Sequence, residues 1–202
     1  MPEAQPNKEP RSAAFALRAA ATAFVVVALG FAAFILISPS GRPRPSLIGG
    51  PFALENGDGK TVSDQTLRGR PFLVYFGYTH CPDVCPTELA HISDILNKMG
   101  NKAIPALFIT VDPERDTPKI MQDYVSSFNP AIVGLSGSPQ SVAATEKTFR
   151  VFARKGEKQP DGDYSMDHSS VVYLMDKNGA FVEAFNVERP PEEAARDLQA
   201  RL

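Results

Sequence analysis

Residues 19–37 read AAATAFVVVALGFAAFILI, nineteen positions without a charge. A buried core helix would show a polar face, and this run has none. At about 1.5 Å per residue a helix of this length reaches close to 30 Å, the thickness of a bilayer core. A cleaved leader usually has an apolar stretch of roughly 7–15 residues that ends in a small-residue site. Here the run closes on Ile35, Leu36 and Ile37, followed by SPSGRPRP. The pattern predicts an uncleaved transmembrane helix at 19–37, after a short tail at 1–18. A linker at 38–48, stiffened by its prolines, leads to one domain at 49–202. No cysteine follows the run, which excludes a lipid-modified cysteine there. Lys8, Arg11 and Arg18 precede the span and Arg42 and Arg44 follow it. That is a weak positive-inside bias, with the tail inside and the domain outside.

Charge narrows the partners. The chain carries 21 basic and 23 acidic side chains, and five of the basic ones lie in the first 45 residues. The domain is therefore mildly acidic, which argues against nucleic acid and leaves room for a cation or a basic partner. There are two cysteines, four positions apart. A disulfide scaffold would have more, spread more widely, and a core of roughly 150 residues needs none. The pair reads as chemical.

Beyond residue 49 strand-like and helix-like runs alternate. Residues 72–76 (FLVYF), 103–111 and 132–135 read as buried strands. Apolar residues at 89, 92, 95, 96 and 99 mark a helix from about 86 to 99. Thr117-Pro118 and Ser138-Pro139 each pair a capping residue with a proline suited to the first helical position. Strands at 170–175 and 180–185 flank Asp176-Lys-Asn-Gly179, a hairpin signal, and a helix closes the chain from 191. The order predicts an α/β fold with a central mixed sheet flanked by helices, of the thioredoxin-like arrangement.

The first buried strand runs into GYTHCPDVCP, residues 77–86. Pro86 disfavours helical backbone at the residue before it and suits a helix start, which places Cys85 at an N-cap. The positive helix end is then expected to lower its thiol pKa. Cys81, one loop earlier, can fold back toward it. Two thiols at a helix start suit either reversible disulfide formation or a soft cation. The spacing has three intervening residues, not the two of ordinary thiol exchange. A soft ion such as Cu(I) would take an imidazole as well.

Three histidines are available. His80 adjoins Cys81, but neighbouring side chains on an extended chain diverge. His91 reads as a solvated helix residue. His168 precedes the strand 170–175, which in a thioredoxin-like sheet runs antiparallel to 72–76 and brings it beside the cysteines. Asp167 is placed to orient its ring, and Met166 reads as packing. The loop 111–118, VDPERDTP, opens on the same sheet edge. Asp112 and Asp116 in it read as turn and cap, or as a recognition rim or a carboxylate assisting Cu(II). The polar segment 156–163 reads as mobile.

Three runs in order, YFGYTHCPDVCP at 75–86, VDPERDTP at 111–118 and DHS at 167–169, resemble the Sco/SenC family of copper proteins. The resemblance implies a thioredoxin-like domain that binds one copper, as Cu(I) or Cu(II), through Cys81, Cys85 and His168. It further implies assistance to assembly of the binuclear CuA centre in subunit II of cytochrome c oxidase. Other copper chaperones and a thiol reductant are the further partners. An inner-membrane anchor with the domain in a periplasm is expected, the mitochondrial intermembrane space being the alternative. Metallochaperone is the leading reading. A thiol-disulfide oxidoreductase that keeps the oxidase cysteines reduced through Cys81 and Cys85, and a copper or redox sensor, are the alternatives.

Overall fold

The computed structural model describes residues 18, 21–30, 47–160 and 162–201. The chain divides into two compact units, residues 1–44 and 45–202. In the first, residues 21–30 are helical, with Phe24, Val25, Val26, Val27 and Leu29 exposed. The remainder of the span expected at 19–37 lies outside the described residues. Among the described residues no helix is long and apolar enough to cross a membrane.

The second unit is built on a five-stranded sheet. Its middle strand, β3 (Phe72–Gly77), is buried at every position. β4 (Ala106–Thr110) pairs parallel to β3, and β5 (Ile132–Leu135) parallel to β4. On the other side β8 (Val172–Met175) runs antiparallel to β3, and β9 (Phe181–Ala184) antiparallel to β8. The order is β5-β4-β3-β8-β9, the mixed sheet expected from the alternation of runs. Strand and helix bounds differ from the periodic pattern by up to three residues, because apolar runs continue past the last ladder bond.

Both faces of the sheet are covered, as buried parallel strands require. On one face Tyr75 stacks on Phe108 at 5.8 Å, and Phe108 on Tyr124 at 5.8 Å. Tyr124 belongs to α2 (Pro118–Val125), which follows α1 (Val84–Met99) in the chain. Leu89, Ile92, Ile95, Leu96 and Met99 of α1 are buried at the predicted spacing. On the other face Phe76 meets Phe149 of α3 (Pro139–Phe149) at 5.5 Å, and Phe149 meets Tyr173 at 5.9 Å. Burial of each such aromatic is worth about 1.5–3 kcal/mol. The closing helix α4 (Pro191–Gln199) packs on α1.

The helix starts follow the sequence signals. Thr117 and Ser138 accept hydrogen bonds from the amides of Ile120 and Ser141, each with proline at the next position. The hairpin between β8 and β9 turns at Gly179, whose φ of 76° a side chain would resist. Asp176 Oδ1 accepts from the amides of Asn178 and Ala180 within that turn.

Two small hairpins had no signal in the periodicity. One is β1 (Ala53–Glu55) with β2 (Thr61–Ser63), the other β6 (Ala153–Lys155) with β7 (Met166–His168). Strands of three residues are too short for period-2 alternation to stand out.

Glu146 of α3 is partly buried, and burial pushes its carboxyl up to about 7. Below pH 4.5, the ordinary carboxyl value, the group is protonated in both folded and unfolded chains and contributes nothing. As pH rises toward 7 the unfolded chain ionises first, so stability falls, and above 7 the loss is constant. Glu146→Gln is expected to add about 1–2 kcal/mol at pH 8 after solvent screening, and nothing at pH 4. Urea unfolding at both pH values measures this. An equal gain at both would trace the effect to packing, not charge.

Candidate metal centre

β3 ends at Gly77, where the chain leaves the sheet and turns back through the cysteine loop. A Cβ on Gly77 would stand 2.8 Å from Cys85 Sγ and 2.7 Å from the Phe108 ring. Only glycine lets the thiol and the strand approach this closely. The Cys81 amide donates to the Tyr78 carbonyl at 3.3 Å, closing the loop. Helix α1 then begins at Val84, with Asp83 in the cap position but making no side-chain cap.

Cys85 is therefore inside the helix, not at its cap. The reason is that Pro86 is tolerated throughout the first turn, where amides lack helical partners. The Cys85 amide, one of these orphans, donates to Cys81 Sγ at 3.4 Å. Cys81 thus does the work of a cap, and the helix end acts on its sulfur. The expected lowering of the Cys85 thiol is overturned as well. Cys85 is wholly buried, and burial pushes its thiol up to about 12. A hydrogen bond from the Tyr78 backbone opposes that rise, and the neighbouring Cys81 reinforces it. Removing a charge from water outweighs the partial charge of a helix end. Both cysteines are free thiols, Cys81 half-buried.

The Tyr75–Val172 register brings the start of β8 beside the end of β3, as the antiparallel pairing requires. His168, at the end of β7, lies there. Its Nε2 is 3.9 Å from Cys85 Sγ. Its Nδ1 is 3.1 Å from the Ser169 carbonyl, which can only accept, so Nδ1 carries the proton. The Nε2 lone pair consequently faces the thiol. The Tyr78 ring meets the imidazole edge-on at 5.8 Å and 90°. Asp167 does not orient the ring, contrary to expectation. It faces solvent and pairs with Arg154 at 2.7 Å, because alternate residues on a strand point apart. Met166 packs against the core.

A groove of about 350 Å³ opens over this point, lined by Tyr78, Cys81, Val84, Met166 and His168 among others. With zinc-like bonds of about 2.3 Å to sulfur and 2.0 Å to imidazole, neighbouring donors of a three-coordinate site stand roughly 3.7 Å apart. The Cys85–His168 separation of 3.9 Å fits such an ion. Among the described residues no group of three or more His, Cys, Asp or Glu side chains is gathered closely enough to hold a metal ion, so Cys81, Cys85 and His168 do not stand as a finished site.

The other singled-out residues turn away. His80 Nδ1 lies 3.1 Å from Thr79 Oγ1 and 3.9 Å from Asp116. His91 is half-buried, with Nδ1 shut off from solvent and unpartnered among the described residues, so it is not the solvated histidine expected. Asp112 and Asp116 are buried, so neither carboxylate forms a rim. Asp116 accepts from the Thr79 amide and hydroxyl and from Thr110 Oγ1, at 3.1, 2.5 and 2.7 Å. Asp112 accepts from Arg115 Nε and, at 2.8 Å, from the Tyr164 hydroxyl. The segment 156–163, expected to be mobile, is bonded to its neighbours at both described ends. Gly156 donates to the Ser165 carbonyl at 2.8 Å, and Asp163 accepts from Arg115 at 2.6 Å.

Tyr78, whose ring meets His168, was not singled out from sequence, since it reads as core until the fold joins distant segments. Gly77 could have been found, because glycine at the end of a buried strand signals close approach.

A family model described as SCO1/SenC matches residues 40–202. The mitochondrial SCO1 homolog 1 of Arabidopsis thaliana is 43% identical over 142 residues, covering 68% of this chain and 42% of that one. This chain spans about half the length of the curated relatives it matches. Bradyrhizobium japonicum ScoI, solved with copper bound, is 54% identical with a TM-score of 0.74, over 77% of this chain and 99% of that one. BsSco, solved with a disulfide switch identified, is described as a member of the Sco family of cytochrome c oxidase assembly proteins. It is 27% identical with a TM-score of 0.61, over 78% of this chain and 94% of that one. The match takes in the whole of the sheet-bearing unit and agrees with its fold, and the chain belongs to the SCO1/SenC family.

Proposed function

We propose that this chain is a copper metallochaperone that carries one copper as cargo on Cys81, Cys85 and His168 and serves assembly of the CuA centre in subunit II of cytochrome c oxidase. The observation that carries the reading is the imidazole Nε2 facing Cys85 Sγ at 3.9 Å. ScoI with copper bound and BsSco as an oxidase assembly protein support it.

Two thiols and one imidazole are a soft set that suits Cu(I). As copper enters, each cysteine gives up its proton and binds as thiolate. The groove leaves one side open, so an acceptor's own thiolates and imidazoles can replace these donors in turn. The run at 19–37 would hold the domain outside a membrane, facing a periplasm or a mitochondrial intermembrane space. Support for that is the absence of charge over nineteen residues and the exposure of Phe24 to Val27.

A thiol-disulfide reductase role has one feature in its favour. Cys81 is accessible and Cys85 is buried behind it, the order of an attacking and a resolving thiol. Such a step would reduce an acceptor disulfide and leave Cys81 and Cys85 joined.

His168→Ala separates the two readings. Its copper affinity is expected to fall by more than about 100-fold, exceeding the cost of losing a ligand's outer partner, while disulfide formation stays intact. Competition with a chromophoric Cu(I) chelator measures the first, and thiol titration against a redox buffer the second. Oxidase maturation that survives His168→Ala would rule out delivery through this site. Gly77→Ala drives a methyl group into Cys85 Sγ and Phe108. It is expected to cost about 1–3 kcal/mol in denaturant unfolding and to weaken copper binding about tenfold or more. Unchanged values for both would show that the contact at Gly77 does not constrain the thiol.

A further inference from the structure

The strand that carries His168 has no ladder to the central sheet. β6 and β7 pair only with each other. A lone two-stranded hairpin is marginal in water, and Phe152 at its base is exposed. Something else must hold the imidazole 3.9 Å from Cys85. Tyr78 is one holder, through its contacts with Met166 and His168.

We infer that Arg115 and Tyr164 are positioning residues that set the His168–Cys85 distance, and so the copper affinity, without touching the ion. This rests on the copper reading proposed above. Tyr164 lies two residues before β7 and is only 8% exposed. Its hydroxyl donates to Asp112 Oδ1 at 2.8 Å. The Arg115 guanidinium carbon stands 3.6 Å from the ring centroid, and Lys155 Nζ stands 3.9 Å from it. Arg115 also grips Asp112 through Nε, and Asp163 through Nη1 at 2.6 Å. Lys155, on β6, reaches Glu114 at 2.5 Å. Strand β6 and the segment that leads into β7 are thereby pinned to the loop 112–116. That loop is joined through Asp116 to Thr79, two residues before Cys81. One loop thus fixes the thiols on one side and the imidazole on the other. The distance between them is set in part by contacts that involve no ligand atom, beside the Tyr78 and Ser169 contacts of the imidazole itself.

The test is a double-mutant cycle on the full chain. Tyr164→Ala is expected to lower Cu(I) affinity about 10–100-fold, the usual cost of removing a ligand's support. In a His168→Ala background the same change should have no further effect, because it acts only through His168. Tyr164→Phe keeps the cation–π contacts but loses the bond to Asp112, and should fall between. Nitrogen hyperfine splitting from His168 in the Cu(II) spectrum should weaken in the same order. Without copper, His168 ring resonances should lose the ring-current shift from Tyr78, and amides at 166–168 should exchange faster. An equal loss with and without His168, or an unchanged copper-free spectrum in a folded Tyr164→Phe and Arg115→Lys, overturns the inference. Failure of the wild-type chain to bind copper would instead overturn the functional reading, since the copper-free arm still reads the clasp.

Discussion

Asp116 is a carboxylate with no solvent exposure, and the site is arranged around it. An unpaired charge at such a depth costs several kcal/mol, so it persists only because donors surround it. Two come from Thr79 in the cysteine loop and one from Thr110 at the end of β4. Its own carbonyl accepts from Ser136, just past β5. The buried carboxylate thus draws the end of β4 and the cysteine loop to one point, and the backbone carbonyl of the same residue holds the segment just past β5. Removing a partner would leave the charge uncompensated, which is why the surrounding residue types are short hydroxyls that reach it without strain.

The thiols are prepared by opposing effects. A helix N-terminus favours thiolate, and a dry interior opposes it. At Cys85 the interior wins, which pushes the thiol up to about 12. The proton is therefore kept until something with a larger local charge arrives. A bound cation supplies that charge and deprotonates a thiol outright. Cys81 receives the helix-end amide of Cys85 and lies at the groove. The two cysteines differ in environment although only three residues separate them.

Much of this could be read before the fold was known, but unevenly. The runs at 72–76, 103–111 and 132–135 are mostly apolar, and such strands are buried wherever they go. Thr117-Pro118 and Ser138-Pro139 mark helix starts by local chemistry alone, so they could be placed to the residue. The proximity of His168 to the cysteines followed from strand direction, which the fold class supplies. What could not be read depends on tertiary desolvation or on pairs far apart in sequence. Cys85 looked like an activated thiol because the helix end is local and the burial is not. Asp167 looked like the orienting group because it adjoins His168, whereas the Ser169 carbonyl performs that role. Tyr164 and Asp112 are 52 positions apart, and nothing in either residue announces the other.

The division of the donors between two kinds of structure bears on what a carrier needs. Cys85 sits on α1, with its sulfur close against Gly77 at the end of the wholly buried strand β3. His168 sits on a hairpin that makes no ladder with that sheet. A site meant to retain its ion would place all its ligands on the rigid part and close the last position. In the copper reading proposed above, the helix would supply Cys85 and the loop before it Cys81. The separately held part supplies the imidazole, a weaker donor for such an ion. Under that reading, loosening the hairpin would withdraw the imidazole without unfolding the domain, and the sheet would stay intact as an ion left.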